Sequence, residues 1–511
     1  MENIREQEEH KIVEEKITIT IDGRDYKVPK GICVLEAAQM VNIEIPNLCY
    51  LKDINEVGTC RVCVVEIEGS RTLQAACVYP VREGLNIRTN TARVRRARKT
   101  AVKLLLSEHH RECTTCKRNL NCELQNVADN LGIRNIPFTG ERKDDMFYDN
   151  NPAIERDYNK CINCRRCMAI CNKIQECYVY SPLNRGLNTL ISPAFKKDLN
   201  EVTCITCGQC VIACPTASLT EKEHIQEVWN AISDPDKHVV VQTAPSIQVT
   251  MGEPFGMPIG SFVAGKLVAA LKRIGFDRVF ATDVTADLTI MEETSELIER
   301  LLHFPEKLPL LSSCCPGWVK FAEHFYPEFL PHLSTTKSPH EMCGALSKTW
   351  YAKKYGIDPG KIVNVGIMPC TAKKYEAARP EMESDGYRNV DYILTTRELS
   401  RMIREVGLDF PNLPDEEYDE PFDQYSGAGM IFGATGGLFE AVLRTAHKLL
   451  TGEEMPVPGY EDNHVESGLK FGKVTLADKT LRIAIAHGTG NAKKALERFK
   501  NGEQKFDYME V

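Results

Sequence analysis

The chain has no long hydrophobic run and no excess of basic charge. No window of 18 apolar residues occurs, so the sequence predicts no membrane-spanning helix. The first 16 residues, MENIREQEEHKIVEEK, are charged where a secretory signal needs an apolar core, which favours a cytoplasmic location. Acidic residues outnumber basic ones, 71 to 63, and this balance gives no indication of nucleic-acid binding.

Cysteine, by contrast, is abundant. The 511 residues are enough for several domains and contain 21 cysteines, of which 17 precede residue 215. Without a secretory signal a disulfide framework is disfavoured, and metal ligation is the better interpretation. After residue 215 only Cys314, Cys315, Cys343 and Cys370 remain, so the two parts of the chain are expected to have different roles.

Hydrophobic periodicity separates the same two parts. Residues 17–31 alternate as ITITIDGRDYKVPKG, which predicts a hairpin around Asp22 and Gly23, followed by a helix over VLEAAQMV. Residues 92–110 predict a helix whose basic residues form a solvated face, an interpretation favoured over a docking patch. Beyond residue 237, apolar strands alternate with amphipathic segments, which is typical of parallel βαβ units. Ligands of such sheets lie beyond the carboxyl ends of the strands, where TAPS, SSCCPGW and MPCTAKK occur.

Two runs with the spacing C-x2-C-x2-C-x3-C predict a pair of 4Fe-4S clusters. The first run is Cys161, Cys164, Cys167 and Cys171, and the second is Cys204, Cys207, Cys210 and Cys214. In bacterial two-cluster ferredoxins the fourth cysteine of each run binds the other cluster, so Cys214 is expected with the first three-cysteine loop and Cys171 with the second. Four-cysteine zinc sites usually have separated C-x2-C pairs, which makes zinc the weaker interpretation.

Two further groups lie nearer the amino terminus. The first, which suggests a 2Fe-2S cluster although its first gap is longer than the plant-type spacing, comprises Cys49, Cys60, Cys63 and Cys77. The second, which suggests a 4Fe-4S cluster with one imidazole ligand, comprises His109, Cys113, Cys116 and Cys122. His110 is the alternative imidazole, and Cys33 and Cys177 are interpreted as packed thiols. The sequence thus predicts one 2Fe-2S and three accessory 4Fe-4S clusters.

These clusters carry electrons, so substrate chemistry is expected farther along the chain. The vicinal pair Cys314-Cys315 lies at a predicted strand-to-helix turn, and Cys370 follows another predicted strand. Vicinal cysteines seldom bind one cluster together. One of the two is therefore expected to bind metal, while the other remains a free thiol that can move protons.

The motifs of this part resemble the active site of iron-iron (FeFe) hydrogenases. The matching segments are SSCCPGW at 312–318, MPCTAKKYE at 368–376, TAPS at 243–246, ADLTIMEE at 286–293, KSP at 337–339 and GAGMIFGATGG at 427–437. The resemblance covers nearly the whole chain after the acidic tail. It implies an H-cluster, in which a cysteine bridges a 4Fe-4S cubane to a diiron unit carrying carbon monoxide, cyanide and an azadithiolate. Such enzymes reduce protons to H2 or oxidise H2.

The resemblance also implies roles for single residues. Cys315 and Cys370 would ligate the cubane, and Cys314 would exchange protons with the bridging amine. A proton path would run through Cys314, Glu293, Ser334 and Glu296, whose side chains can accept and donate protons. The residues that would surround the cyanide ligands or pack the diiron unit are Lys373, Ala244, Pro245, Ser246, Ser338, Met368 and Phe432.

One part of the family pattern is missing. A third, glycine-rich motif with two more cysteines should follow a strand such as FDYMEV, where the sequence ends at Val511. A cubane needs four ligands, and Cys343, on a predicted helix, is an unlikely third after Cys315 and Cys370. We therefore expect a piece of a longer chain, or a loop supplied by another chain, and expect the 511 residues alone to be nearly inactive.

The predicted fold is a multi-domain assembly of α+β and α/β classes. Its parts are an acidic tail (1–16), a 2Fe-2S ferredoxin-like β-grasp domain (17–92), a His/Cys-ligated 4Fe-4S domain (93–150), a two-cluster ferredoxin domain (151–225) and a two-lobed α/β catalytic domain with parallel sheets (237–511).

The predicted function is hydrogenase activity, with ferredoxin or a flavin subunit that handles NAD(P) as electron partner and with maturation proteins as further partners. A non-catalytic electron-transfer subunit is the alternative, because the first 220 residues also resemble parts of complex I and some formate dehydrogenases. A third possibility is an iron-sulfur assembly or sensor relative. SSCCPGW and MPC argue against the second hypothesis, and Cys314, Lys373 and the two glutamates argue against the third. No dinucleotide site is expected, because HGTGNAK lacks the third glycine of that motif.

Overall fold

The computed structural model describes residues 15–140, 147–455, 461–476 and 479–511, so the predicted acidic tail lies outside the described residues except for its last two positions. The strands are β1 (Lys16–Ile21), β2 (Arg24–Pro29), β3 (Val64–Ile67), β4 (Gln74–Ala75), β5 (Asn86–Arg88), β6 (Phe147–Tyr148), β7 (Ile154–Asp157), β8 (Ser181–Leu183), β9 (Leu190–Ser192), β10 (Leu219–Glu221), β11 (His238–Thr243), β12 (Arg278–Ala281), β13 (Leu310–Leu311), β14 (Ile362–Ile367), β15 (Glu383–Ser384), β16 (Tyr387–Arg388), β17 (Tyr392–Leu394), β18 (Glu461–Glu466), β19 (Leu469–Leu476), β20 (Lys479–Ala486) and β21 (Tyr508–Glu510).

The α-helices are α1 (Val34–Met40), α2 (Ala92–Glu108), α3 (Glu123–Asn130), α4 (Arg166–Lys173), α5 (Gln209–Ala213), α6 (Ile225–Ser233), α7 (Ile247–Thr250), α8 (Ala264–Ile274), α9 (Thr282–His303), α10 (Pro316–Phe325), α11 (Pro339–Leu346), α12 (Ala352–Tyr355), α13 (Ala372–Ala377), α14 (Thr396–Glu405), α15 (Gly427–Ile431), α16 (Gly437–Thr451) and α17 (Thr489–Lys500). Among the described helices, none is long and apolar enough to cross a bilayer.

A five-stranded sheet with the order β2-β1-β5-β3-β4 forms the amino-terminal part. The predicted hairpin is confirmed: β1 and β2 pair antiparallel across Asp22 and Gly23, whose φ angles are 49° and 82°. Glycine and aspartate suit this turn because they tolerate left-handed backbone angles. The predicted helix α1 packs on the sheet through Leu35, which is fully buried together with Ile19 and Ile87.

α2 connects this sheet to the cysteine-rich part. The Thr91 hydroxyl accepts a hydrogen bond from the Val94 amide and caps the first turn. The buried Arg98 donates two hydrogen bonds to the Val64 carbonyl and so fixes the helix against β3. The helix predicted from residue 92 is confirmed, and it ends where His109 follows.

The cysteine-rich region packs against the carboxyl-terminal half. α4 and α5 are short and each includes the last cysteine of one three-cysteine loop, Cys167 or Cys210. β7 and β10 pair antiparallel and connect the two halves of this region. Its buried residues share one apolar cluster with Trp318, Phe471 and Ala484.

Four parallel strands in the order β12-β11-β14-β17 form the first sheet of the carboxyl-terminal half. They correspond to HVVVQTAPS, DRVFATD, IVNVGIMPC and VDYILTTRE, so the prediction of parallel βαβ units is confirmed for this sheet. β11 and β14 pair along their whole length, from His238 with Ile362 to Thr243 with Ile367. Their carboxyl ends therefore lie side by side.

The second sheet, with the order β13-β21-β20-β19-β18, is mixed. β13 and β20 run parallel to β21, whereas β18, β19 and β20 pair antiparallel. The expectation of parallel sheets is wrong here, because two residues between successive strands cannot form the crossover that parallel neighbours need. Patterning of single strands does not show this difference, since β20 is as apolar as a parallel strand.

Candidate active site

Three loops meet beyond the carboxyl ends of the parallel strands. Because β11 and β14 pair up to their last residues, Ala244–Ser246 and Met368–Cys370 lie next to each other. The third loop belongs to the glycine-rich segment: a Cβ on Gly433 would lie 3.4 Å from Pro245 Cβ and 3.4 Å from the Ser246 amide nitrogen. The motifs TAPS, MPC and GAGMIFGATGG are thus brought together.

The vicinal cysteines lie between β13 and α10 and differ in their surroundings. Cys315 immediately precedes α10 and lies near Cys370; burial first, and then this neighbouring thiolate, raise the pKa of Cys370 to about 11. Cys314 packs in the apolar cluster that includes Phe432. Burial and the nearby Glu293 carboxylate hold the pKa of the Cys314 thiol well above its ordinary value, so it keeps its proton. Burial also raises the pKa of Cys315, so the two thiols differ in their neighbours, Cys370 for Cys315 and Glu293 for Cys314.

Lys373 lies over the vicinal cysteines in a buried network. Its ammonium donates to the Cys314 carbonyl oxygen at 2.8 Å and to Glu376 Oε2 at 2.7 Å. His340 Nε2 lies 2.5 Å from the same Glu376 oxygen and 3.5 Å from Glu341 Oε1. Burial opposes ionisation of Glu376, but Lys373 and His340 outweigh it and lower the pKa of Glu376 to about 2. The network holds the ammonium charged and in place.

Sequence reasoning missed the residues that support Lys373. Glu376 follows Lys373 by three residues on α13, a spacing that places both side chains on one face and could have indicated the pair. His340 and Glu341 begin α11, which is distant in sequence, and no local pattern links them to Lys373.

The residues of the predicted proton path lie near one another. Glu293 on α9 is fully buried near Cys314, and burial raises the pKa of Glu293 to about 7. Ser334 donates to Glu296 Oε2 at 2.9 Å and lies near Glu293, although no hydrogen bond joins those two side chains. Exposure increases along the path, from 0% for Glu293 to 6% for Ser334 and 14% for the Glu296 side chain. The arrangement suits stepwise proton transfer between the buried thiol and the outer glutamate.

Two residues that the sequence did not reveal hold the glutamates of this path. Tyr508 Oη, on β21, donates to Glu293 Oε1 at 2.5 Å. Arg300 Nη2 donates to Glu296 Oε1 at 2.6 Å. Arg300 follows Glu296 by four residues on α9, so helical spacing could have indicated that pair. Tyr508 is 215 residues from Glu293, and only the sheet brings them together.

The site has features that fit a bound iron centre with anionic ligands. Within the described residues, Ser338 Oγ and Glu293 Oε2 are buried and have no hydrogen-bond partner. Thiolates are iron ligands, and the Lys373 ammonium can pair with small anions. Cys315 and Cys370 could provide two of the four thiolates that a cubane takes. Cys343, which the sequence disfavoured as a third cubane ligand, is fully buried in a different apolar cluster.

The four cysteines predicted to hold a 2Fe-2S cluster form one buried group. Cys60 and Cys77 lie close to Cys49, and Cys77 also lies close to Cys63. None is more than 6% exposed. Four thiols in mutual contact, shielded from solvent, provide the ligand set of such a cluster.

The group at the end of α2 favours His109 over His110 as the imidazole ligand. His109 is 8% exposed, and within the described residues its Nδ1 has no hydrogen-bond partner. Burial lowers the pKa of His109 to about 4, which keeps the ring in the neutral form that binds metals. His110 Nε2 instead pairs with a surface glutamate at 3.1 Å. Cys116 and Cys122 lie close enough to interact electrostatically, and Cys113 is exposed.

In each ferredoxin-type group, the fourth cysteine of one run lies near the first three cysteines of the other run. The neighbouring thiols whose charges raise the pKa of Cys164 are Cys167, Cys214 and Cys161. The thiols whose charges raise the pKa of Cys210 include Cys207, Cys204 and Cys171. Cys167 also acts on Cys210, so the two groups adjoin. Cys177 is buried, and its thiol donates to the Gln175 carbonyl at 3.4 Å.

One ferredoxin-type group adjoins the active site. Cys207 lies near enough to Cys370 for its pKa to rise through that neighbour as well as through burial, which is the larger effect. The Thr371 hydroxyl donates to the Thr206 carbonyl at 2.7 Å. A Cβ on Gly208 would lie 2.4 Å from Thr371 Oγ1, so this close approach requires glycine. The loop that contains Cys207 therefore lies next to the loop that contains Cys370.

A series of cysteine groups that ends at a buried centre of thiols, an ammonium and a proton path defines an iron-sulfur oxidoreductase. Comparison with known proteins identifies the family within this class. The family model "Iron only hydrogenase large subunit, C-terminal domain" matches residues 237–511, and the chain belongs to this FeFe hydrogenase family. A 2Fe-2S iron-sulfur cluster binding domain matches residues 14–92, and the NADH-ubiquinone oxidoreductase-G iron-sulfur binding region matches residues 98–137.

Relatives are similar over almost the whole chain. The NADP-reducing hydrogenase subunit HndD of Solidesulfovibrio fructosivorans is 48% identical over 97% of this chain and 86% of its own. Iron hydrogenase 1 of Clostridium pasteurianum is 38% identical over the same shares. The solved apo FeFe-hydrogenase HydA1 from Chlamydomonas reinhardtii is 37% identical, with a TM-score of 0.52, over 57% of this chain and 81% of its own. The chain is thus a hydrogenase that contains iron-sulfur domains.

Proposed function

We propose that this hydrogenase interconverts protons and H2 at an H-cluster whose cubane is held in part by Cys315 and Cys370. Electrons would pass through one 2Fe-2S and three 4Fe-4S clusters, in domains that span residues 17–92, 93–150 and 151–225. The observation that carries the proposal is the approach of Cys207 to Cys370, because it joins the last cluster of the series to the catalytic loops.

The H-cluster, when bound, would supply the electron chemistry, and the residues around it would control protons and anions. Lys373 would pair with the anionic ligands, together with polar groups of the TAPS loop and Ser338. Met368 and Phe432 would shield the diiron unit from water. Cys314 would hold a proton at Sγ, and Glu293, Ser334 and Glu296 would pass it on, the last step along the hydrogen bond from Ser334 to Glu296. Ala244, Pro245 and Ser246 form that TAPS loop.

The electron partner is proposed from the relatives. One similar protein is named a subunit of an NADP-reducing hydrogenase, and another, 36% identical over 40% of this chain, is named NADPH-Fe(3+) oxidoreductase subunit alpha. We therefore propose a flavin-containing subunit that handles NAD(P), or a ferredoxin, as partner in the cytoplasm, with maturation proteins that insert the diiron unit. Iron-sulfur domains at the amino-terminal end would receive its electrons.

Removing the two cubane cysteines should isolate the accessory clusters. After anaerobic reconstitution, the double variant Cys315→Ala, Cys370→Ala should bind about 14 iron atoms with matching sulfide, because one 2Fe-2S and three 4Fe-4S clusters remain. It should still be reduced by dithionite yet show no H2 turnover. Zinc in place of iron, or a total near 8, would contradict the four-cluster assignment.

The adjacent residues His109 and His110 offer a matched test of the cluster proposed to have one imidazole ligand. His109→Ala should remove about four irons, or convert that cluster to a three-iron form visible by electron paramagnetic resonance, because the imidazole is a ligand. His110→Ala should leave iron content and spectrum unchanged, since that ring pairs with a surface carboxylate. The reverse pattern would make His110 the ligand.

A further inference from the structure

Arg156 is a buried cation beside one of the ferredoxin-type groups. It lies on β7 and is only 3% exposed. Its Nη2 lies 3.6 Å from Cys161 Sγ and donates to the Ile191 carbonyl at 2.9 Å. The guanidinium carbon lies 4.6 Å from the centre of the Tyr158 ring. The charged group is therefore packed between a thiol, an aromatic ring and backbone, away from water.

The charge of Arg156 has no carboxylate to balance it within the described residues. None of its hydrogen bonds there goes to an acid, and its Nε has no hydrogen-bond partner. Arginine stays protonated in proteins, and a buried cation without a counter-charge is strongly unfavourable. Its nearest sources of negative charge are the thiolates of Cys161 and Cys167. The cation and the metal-binding thiolates are thus one electrostatic unit.

We propose that Arg156 raises the reduction potential of the cluster bound by Cys161, Cys164, Cys167 and Cys214. This inference rests on the ligand set given under the proposed function. One-electron reduction adds a negative charge to the cluster and neither forms nor breaks a bond. A fixed cation in contact with a ligand sulfur, in a medium of low polarity, favours the more negative, reduced form.

The position of this cluster in the series gives its raised reduction potential a role in electron transfer. Its neighbour, the group that contains Cys207, adjoins Cys370 at the active site. A raised potential at the Arg156 cluster retains an electron one cluster away from the H-cluster. The electron partner supplies that electron during turnover, and dithionite supplies it in a titration.

The test is a redox titration of the whole protein followed by electron paramagnetic resonance. Arg156→Met removes the charge while keeping an unbranched side chain, and one 4Fe-4S midpoint should shift to a more negative potential while the others stay in place. Arg156→Lys keeps the charge and should shift that midpoint less. Arg165→Met is the matched control: it removes a positive charge from the cysteine loop itself, between Cys164 and Cys167, but this side chain is only partly buried, so solvent should screen its effect.

Several outcomes would overturn the inference. Unchanged midpoints in Arg156→Met, or a shift to a more positive potential, would exclude a tuning role. Equal shifts in Arg156→Met and Arg165→Met would show a general effect of net charge. Loss of about four irons from every variant at position 156, lysine included, would make the residue structural. A wild-type protein about four irons short would refute the cluster assignment itself, so that failure is distinguishable from failure of the Arg156 role.

Discussion

Replacing Cys314 with alanine is expected to lower H2 turnover by about 100- to 10,000-fold, the range typical of lost acid-base catalysis. The Cys314 thiol is buried, keeps its proton and lies near Glu293, whereas a methyl group can neither hold nor pass a proton. Turnover is measured as H2 evolution from reduced methyl viologen by the full-length, matured protein. Iron content and the carbonyl and cyanide infrared bands should be retained, because Cys315 and not Cys314 is the proposed ligand.

Cys343 provides a matched control for this substitution. It is also a buried thiol, but it packs on α11 with Phe280 and Tyr351 and lies in a different cluster from Cys314. Cys343→Ala makes the same chemical change and should keep most turnover. If Cys314→Ala loses iron, the division of roles between the vicinal cysteines is wrong. If it turns over normally, protons reach the site by another route.

The ligand groups could be predicted because iron-sulfur ligands follow one another at short, fixed spacings. The exchange of Cys171 and Cys214 between the two ferredoxin-type groups also follows from spacing, since it belongs to a duplicated motif. Catalytic loops were predictable for a different reason: parallel strands present their carboxyl ends at one edge, so motifs after β11 and β14 had to meet. Both inferences use local patterns, namely the spacing within a cysteine run and the residues that follow a strand.

The supporting residues could not be predicted because their contacts join distant segments. Tyr508 reaches Glu293 only because β21 lies beside β13 in the second sheet. His340 reaches Glu376 from another helix. In the sequence, Arg156 has the pattern of an ordinary charged residue in a strand. It is buried against Cys161 only because β7 packs on the cysteine loop. Each contact depends on topology, and the mixed second sheet was itself not predicted correctly.

Replacing Glu293 with glutamine is expected to lower H2 turnover by about 100- to 10,000-fold and at the same time to stabilise the protein above about pH 7. The amide keeps the shape of the side chain and can accept the Tyr508 hydrogen bond, but it cannot take up and release a proton. Burial raises the pKa of Glu293 from 4.5 to about 7, so the folded state holds this proton more tightly than the unfolded state. Stability therefore falls as pH rises between these values, and the penalty is complete above the folded pKa.

Glu293→Gln has no carboxyl group to ionise, so it does not lose stability as the pH rises. A gain in stability together with a loss of turnover would distinguish a proton-transfer role from damage to the fold. The melting temperature of Glu293→Gln relative to the wild type should rise between about pH 5 and pH 8, while its turnover stays low at every pH. Glu292→Gln is the control, because it makes the same change at the neighbouring, exposed position of α9 and should alter neither quantity. A Glu293→Gln protein that melts lower than the wild type at pH 8 would mean that the carboxylate is structural. One that evolves H2 at the wild-type rate would mean that protons leave Cys314 without passing through Glu293, and the hydrogen bond between Ser334 and Glu296 would then have another role.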